Sequence, residues 1–538
     1  MALTFGQEKA LAAVKSGKNV FITGGGGVGK SYLIKKIVES LEEEGKTVLV
    51  TASTGKAATL IDGVTCHRAL QIPIKMTWAA KPKVNSKSPI YLADVLLIDE
   101  ISMIRIDVFD FIVKTIEQVN EIRRSDLKNE HRSPVQIITV GDFSQLSPVL
   151  KRTDDGSPDE GELLSDHYGF DVGAGYAFLS PGWKRCDFVF CMLTEVLRQS
   201  DRAMIDAVNA IRIGDRTALS YFKKNTRKED FPIGEEGVIT LCGKNRTADR
   251  INNAALARLP GRGKDYRAEI SGSVSEQDKQ APDLITLKEG ARVIMLQNTE
   301  KYRNGSGGTV TRLRERCVSV VIDETGEEVE VPYATWTVEK YVVKKENGKK
   351  HVTKAPIGFF SQLPLRLGYA ITIHKAQGQT FDKVVLILGS DDKKENAKST
   401  RPEIFSYGQF YVAVSRVRDI KNLRIKGNID LIELLADPEV VEFYKNNSCV
   451  ISSKIISEVS NSETNPLEKD KKRKQKSPSE KSEAEESLAT VQCPQGIAPL
   501  VLIFSSTLSE KSKLVAGTDL LVPKSIEKQV RDYLEMLN

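Results

Sequence analysis

The chemistry of this chain starts at eight residues, Gly24-Gly25-Gly26-Gly27-Val28-Gly29-Lys30-Ser31. Two glycines five residues apart, followed by lysine and serine, have the spacing of a phosphate-binding loop. Gly24, Gly27 and Gly29 let backbone N–H groups curl around phosphate oxygens, and the helix that follows turns its positive end toward them. Lys30 is placed to reach the β- and γ-phosphates and Ser31 to hold Mg²⁺. A flexible glycine turn ahead of a helix is the plain alternative. The apolar run Val20-Phe21-Ile22 before the loop and the amphipathic set Leu33, Ile34, Ile37, Val38, Leu41 after it supply the strand and helix that a phosphate loop needs. A nucleoside triphosphate is therefore the expected ligand.

Three further groups could act on it. Asp99-Glu100 closes the apolar run Val95–Ile98. An aspartate there can hold Mg²⁺, and the glutamate beside it can take a proton from the attacking water. Gln145, in Gly141-Asp142-Phe143-Ser144-Gln145, follows another apolar run and can orient that water or sense the γ-phosphate. Arg198 and Arg416, one from each half of the chain, can stabilise transition-state charge, an effect worth about 10³ to 10⁵ in rate. Arginines from both halves imply a nucleotide clamped between two domains, so that hydrolysis opens and closes a cleft.

The elements that must position these groups can be read from the runs themselves. Val48–Val50, Val95–Ile98 and Ile137–Val140 are short, continuous apolar segments separated by helical patterns, which is the signature of buried parallel strands. Each ends in polar residues, and ligands gather at the carboxyl ends of such strands. A second α/β block spans about 200 to 440. It is interrupted by β-rich sequence from 292 to 363, which suggests a small inserted barrel. From 453 to 488 Ser, Lys and Glu dominate, so a disordered linker is expected, with the basic run Lys471–Lys476 inside it. That run reads as a solvated tail, an auxiliary nucleic-acid contact or a nuclear-import signal. Leu500–Phe504 and Ile526–Leu537 suggest a small C-terminal element.

Bulk composition narrows the class. The 538 residues carry 78 Lys+Arg against 72 Asp+Glu, a net charge of +6 that permits a nucleic-acid partner without requiring one. No apolar run reaches the roughly 18 residues of a membrane span. The seven cysteines are dispersed and lack a C-x-x-C pair, so neither a disulfide framework nor a zinc site is expected, and a reducing compartment is. The default is a bacterial or phage cytoplasm, with a nucleus as the alternative.

The ordered segments GGGGVGKS, TASTGKAA, GVTCHRAL, LLIDEIS, VGDFSQL, LTEVLRQ, ITIHKAQGQT and YVAVSRVR resemble superfamily-one helicases of the B type, and most closely the Pif-one family of 5′-to-3′ DNA helicases. The likeness covers residues 3 to 430. Asp107–Ile112 also resembles that family's signature segment. The resemblance implies two RecA-like domains, 1–200 and 201–440, the second interrupted by an SH3-like β insertion at 297–363. It also implies a small wedge insertion near 70–90, around Met76-Thr77-Trp78, and leaves 489–538 without a role. Gln7 would read adenine; Gly378, and with it Gln379, would sit near the γ-phosphate. Thr54, Lys56, Thr65, His67, Thr372, His374 and Lys375 would line a single-strand channel, where hydroxyls and cations hold phosphates without reading bases. The implied cofactors are ATP and Mg²⁺. The implied partners are single-stranded DNA and duplex or forked DNA with a 5′ tail, engaged by a monomer or by copies that dimerise on DNA. Val28 and Ser147 depart from the family's common Thr and Pro, at positions outside the essential chemistry. An RNA helicase of the same superfamily, a RecD-like subunit of a nuclease complex and an ATP-switched DNA clamp are the rival readings.

Overall fold

The computed structural model describes residues 2–73, 76–125, 132–151, 158–198, 201–226, 231, 235, 237–346, 349–389, 402–447, 488–492, 513–514 and 519–523. The first domain is built on six strands: Val20–Gly24 (β1), Val48–Ala52 (β2), Val64–Thr65 (β3), Val95–Asp99 (β4), Gln136–Gly141 (β5) and Val189–Leu193 (β6). They form one sheet in the order β3-β2-β4-β5-β1-β6, parallel throughout. Every residue of β1, β2, β4 and β5 is buried, which is why these strands read as unbroken apolar runs. Register sets Ala52 against Asp99 and Thr23 against Gly141, so the loops after β1, β4 and β5 leave the sheet side by side. The helix Lys30–Glu43 packs Leu33, Ile34, Ile37 and Leu41 onto this core.

The chain then runs through Val238–Cys242 (β7), Lys264–Arg267 (β8), Glu269–Gly272 (β9), Leu284–Leu287 (β10), Arg292–Met295 (β11), Gly307–Leu313 (β12), Cys317–Ile322 (β13), Glu328–Pro332 (β14), Ala334–Glu346 (β15), Lys349–Gln362 (β16), Leu365–Leu367 (β17), Ala370–Thr372 (β18), Lys383–Ile387 (β19) and Leu423–Lys426 (β20). A second parallel sheet, β18-β7-β19-β20, carries the second domain. Between β7 and β18 lies the insertion, whose five-stranded antiparallel sheet β14-β13-β12-β11-β17 packs with β8 and β10 around one core that includes Tyr266, Leu287, Val293, Val320 and Leu365.

The insertion extends beyond the 292–363 read from the residues and the 297–363 implied by the resemblance, because β8 to β10 and β17 belong to it as well. Its start was hidden because Lys264–Arg267 and Glu269–Gly272 are mostly polar. The hairpin β15–β16 was not separated from the barrel by sequence. It pairs from Ala334↔Gln362 out to Glu346↔Lys349 and reaches the first domain, where the Tyr341 hydroxyl lies 3.1 Å from Val50 N and Lys354 Nζ is 2.8 Å from Asp62 Oδ1.

The segment around Met76-Thr77-Trp78 is docked rather than projecting. Thr77 is buried and donates its hydroxyl to Asp107 O at 2.7 Å, while Trp78 stacks on His167. Residues 444–538 form a separate unit. Within it, Leu488–Gln492 (β21), Lys513–Leu514 (β22) and Asp519–Pro523 (β23) make a small antiparallel sheet in the order β21-β23-β22. The expected linker, the basic run and the segments Leu500–Phe504 and Ile526–Leu537 fall outside the described residues. Among the described residues no helix is long and apolar enough to cross a membrane.

Candidate nucleotide site and nucleic-acid channel

The phosphate loop turns on two left-handed glycines, Gly27 (φ 89°) and Gly29 (φ 80°). Neither position has room for a side chain: a Cβ on Gly27 would sit 2.6 Å from Arg198 Cβ, and one on Gly29 would sit 2.7 Å from Gln7 Nε2. Lys30 Nζ donates to the carbonyls of Gly24 (2.8 Å) and Gly25 (3.0 Å), so the loop is held by its own lysine. Burial lowers the Lys30 pKa, and the carboxylates of Asp142, Glu100 and Asp99 oppose that shift. Ser31 is exposed at the helix start. Gln7 lies against the loop: its Oε1 accepts from Thr4 N (3.0 Å) and its Nε2 donates to Val28 O (3.2 Å).

Asp99 ends β4 and Glu100 begins the next turn with φ 51° and ψ 47°, a left-handed conformation that a non-glycine residue holds only under constraint. Glu100 N–H donates to Asp99 Oδ1 at 2.8 Å, while Oδ2 has no hydrogen-bond partner among the described residues. Burial, then the neighbouring Glu100 charge, pushes Asp99 up to about 7, and burial also raises Glu100. A carboxylate in that state gains from a cation. One carboxylate, the Ser31 hydroxyl and substrate phosphates are the sparse ligand set that suits Mg²⁺. Among the described residues no cluster of three or more His, Cys, Asp or Glu offers a fuller protein cage.

The second domain closes on this edge through two segments. In the first, Gln377 Nε2 lies 3.2 Å from Glu100 Oε2 and 3.4 Å from Gln145 Oε1, bridging the two groups expected to handle water. Sequence reasoning passed over Gln377 in favour of its neighbours. Gly378 makes the left-handed turn (φ 76°), and Gln379 is buried against Asn304, 3.0 Å away. The second segment is the helix Gln409–Val414 and the two residues after it. Arg416 is 2 % exposed. Its guanidinium donates to Val412 O (2.7 Å), Gln379 O (3.2 Å) and Ser415 Oγ (2.6 Å) and makes no ion pair among the described residues. Burial and the Arg198 charge push it down to about 9. Arg198 Nη1 donates to Ser415 O at 3.3 Å, so both arginines meet over the loop.

Gly408 starts that helix with φ 74°, and a Cβ there would lie 2.2 Å from Gln145 O and 2.6 Å from Ser144 O. Gly408→Ala is therefore expected to push the helix off the Gln145 loop. On top of the roughly 1–2 kcal/mol of left-handed strain, nucleotide turnover should fall about 10²-fold, the scale of a misplacement near 1 Å. Steady-state hydrolysis and thermal melting of the variant check this; wild-type turnover would refute the contact.

The remaining expected residues lie at strand ends of both domains. Thr54, Thr65 and Thr372 each cap a short helix, their hydroxyls accepting from the N–H of Ala57, Arg68 and Lys375. Lys56 and Lys375 come together across the domains, Lys56 Nζ donating to Lys375 O at 3.1 Å. Both line a cavity of about 350 Å³ with Arg366 and Gln280. Arg366 is a residue that sequence missed. It follows no motif, its Nε is buried without a partner, and no carboxylate pairs with it among the described residues. Burial, then Arg366 and Arg416, push Lys56 down to about 7 against the opposing charge of Glu100, and Glu276 and Asp283 line the same cavity. His67 stands apart from it: its charged neighbours are Arg105 and Asp107, burial lowers its pKa, and Nδ1 has no partner. Burial likewise lowers His374.

A phosphate loop, an acidic strand end and two arginines gathered between two parallel sheets define a P-loop protein of two RecA-like domains. Residues 2–165 match the family model described as PIF1-like helicase. A zebrafish (Danio rerio) relative, "ATP-dependent DNA helicase PIF1", is 33% identical over 456 residues, covering 82% of this chain and 63% of its own length. The chain thus spans less than two thirds of that relative. A Bacteroides Pif1 solved in complex with ADP-AlF4 is 29% identical, covers 84% of this chain and 98% of its own, and superposes with a TM-score of 0.69. The Bacteroides Pif1 helicase solved with ADP-AlF3 and ssDNA has the same identity and coverage and a TM-score of 0.56. In sequence and in fold the chain is thus similar to the PIF1-like helicases over about four fifths of its length.

Proposed function

We propose that the chain is an ATP-dependent DNA helicase that moves 5′ to 3′ on single-stranded DNA and unwinds duplex or forked DNA during replication, repair or recombination. The observation that carries this is the short segment Thr372–Gln377. Its Lys375 joins the Lys56–Arg366 cluster, and its Gln377 reaches Glu100 and Gln145. A strand-holding group and a group that touches the hydrolytic residues are thus two residues apart, so a change at the γ-phosphate moves the grip on the strand.

In this reading ATP binds the loop 24–31, Ser31 and Asp99 hold Mg²⁺, Glu100 takes the proton of the attacking water, Gln145 and Gln377 orient it, and Arg198 and Arg416 neutralise the transferring phosphoryl group. Mg²⁺, when bound by Ser31 and Asp99, would supply charge neutralisation at the phosphates. Thr54, Lys56, Thr65, Thr372, Lys375 and Arg366 hold the DNA backbone, with the half-buried His67 and His374 beside them. The translocating species is taken as the monomer, with dimers forming on DNA; sedimentation with and without a fork checks that.

The deciding experiment compares ATP-driven unwinding of duplexes with a 5′ or a 3′ single-stranded tail, with Lys30→Ala as the inactive control and an RNA-tailed duplex alongside. Unwinding from the 5′ DNA tail alone is expected; unwinding from the 3′ tail alone would sink the proposal. Hydrolysis without strand separation would favour the clamp. The Arg366 contribution is separately measurable. Arg366→Gln should flatten the dependence of log affinity for oligo-dT on log salt by about 0.7, the value for one phosphate contact on a single strand. An unchanged slope would remove Arg366 from the interface.

A further inference from the structure

Tyr411 belongs to none of the roles assigned above, yet its hydroxyl lies on the phosphate loop. It is 1 % exposed on the helix Gln409–Val414 of the second domain. Gly26 N–H donates to Tyr411 Oη at 2.8 Å, and Tyr411 O–H donates to Asp142 Oδ2 at 3.0 Å. Asp142 is gripped from the second domain by Arg212, whose Nη2 is 3.0 Å from Oδ1 and whose Nε is 3.2 Å from each carboxylate oxygen. The chain of bonds therefore runs from the P-loop backbone to a second-domain tyrosine, back to a first-domain aspartate, and on to a second-domain arginine.

The position of Gly26 matters. A Cβ on it would meet Arg416 Nη2 at 3.4 Å and Ser415 Oγ at 3.5 Å, so this stretch of the loop faces the arginine that would neutralise the γ-phosphate. Backbone N–H groups of such a loop are the donors that phosphate oxygens use. An N–H given to a tyrosine is not available to a phosphate.

We propose that Tyr411 is a positioning residue that competes with the γ-phosphate for Gly26 N–H, so that a nucleoside triphosphate, but not a diphosphate, must displace the hydroxyl and loosen the Tyr411–Asp142–Arg212 tie. This deepens the ATP-hydrolysing reading and rests on it. The competition is one hydrogen bond, between an amide and a neutral hydroxyl. Its loss is read as a several-fold change in affinity.

Tyr411→Phe keeps the ring and removes the competitor. Isothermal titration of the full chain with ADP and with AMP-PNP, a non-hydrolysable ATP analogue, separates the outcomes. The expected result is AMP-PNP binding tightened about fivefold, ADP binding changed by less than about twofold, and so a shifted triphosphate-to-diphosphate preference. A tyrosine that merely held the loop in shape would instead weaken both ligands on removal. Unchanged or weakened AMP-PNP binding overturns the proposal. If Tyr411→Phe does not fold, Arg212→Gln carries the test, because releasing Asp142 must shift the preference in the same direction; a preference that stays put overturns it. Wild-type chain that binds neither nucleotide would sink the ATP-hydrolysing reading itself, whereas wild-type binding with no effect of either variant sinks this inference alone.

Discussion

Arg416→Lys is expected to cut ATP turnover by about 10³-fold or more while changing nucleotide affinity by less than about tenfold. Lysine keeps the charge but not the fork. Arg416 spends Nε, Nη1 and Nη2 on three separate acceptors, Val412 O, Gln379 O and Ser415 Oγ, and these fix the guanidinium plane over Gly26. One ammonium on a flexible stem cannot serve three divergent acceptors and still present a plane to phosphate. The group is also poised electrostatically: burial and Arg198 disfavour its charge, and an incoming phosphoryl anion relieves that cost. Single-turnover hydrolysis alongside nucleotide titration checks the expectation. Turnover within tenfold of wild type would show that Arg416 is structural and that Arg198 carries the charge alone.

Glu100→Gln should produce a defect of the same kind by a different route, a chain that binds nucleotide and DNA but turns over about 10² to 10⁴ times more slowly, the range for loss of one general base. Glutamine matches glutamate in shape, so the left-handed turn and the approach of Gln377 can persist. What disappears is a proton acceptor whose pKa burial has already raised toward the working range. Binding isotherms with a slow burst-free hydrolysis trace are the signature. Loss of nucleotide binding would instead place Glu100 in the ligand shell, and full activity would move the base elsewhere.

The contrast between what sequence revealed and what it hid has a physical pattern. Strands β1, β2, β4 and β5 were legible because burial on both faces forces unbroken apolar runs, and their polar ends were legible because a ligand site needs them there. Gln377 was not, since choosing it over Gln379 requires knowing which way a turn through Gly378 rotates two identical side chains. Tyr411 was hidden for a related reason. An aromatic inside Gln409–Val414, a fully buried helix, looks like core until its one polar atom is located. Gln7 sits at the loop as its motif implies, and the capping bond with Thr4, which sequence did not single out, turns its amide inward. Arg366 sits outside every motif, and only its lack of a carboxylate in three dimensions marks it.

The hairpin β15–β16 has a consequence for how the first domain survives as a sheet. Strand β3 pairs only with Thr51 and Ala52, so it stops short of Val50. The Tyr341 hydroxyl covers that stretch, lying 3.1 Å from Val50 N and 3.4 Å from Val50 O. A single side chain from the insertion thus stands in for the missing end of an edge strand. Unsatisfied backbone along a sheet edge invites pairing with another chain. The first domain expressed alone would bare that edge and be prone to self-association, and any excursion of the hairpin in the full chain opens the same seam for as long as it lasts.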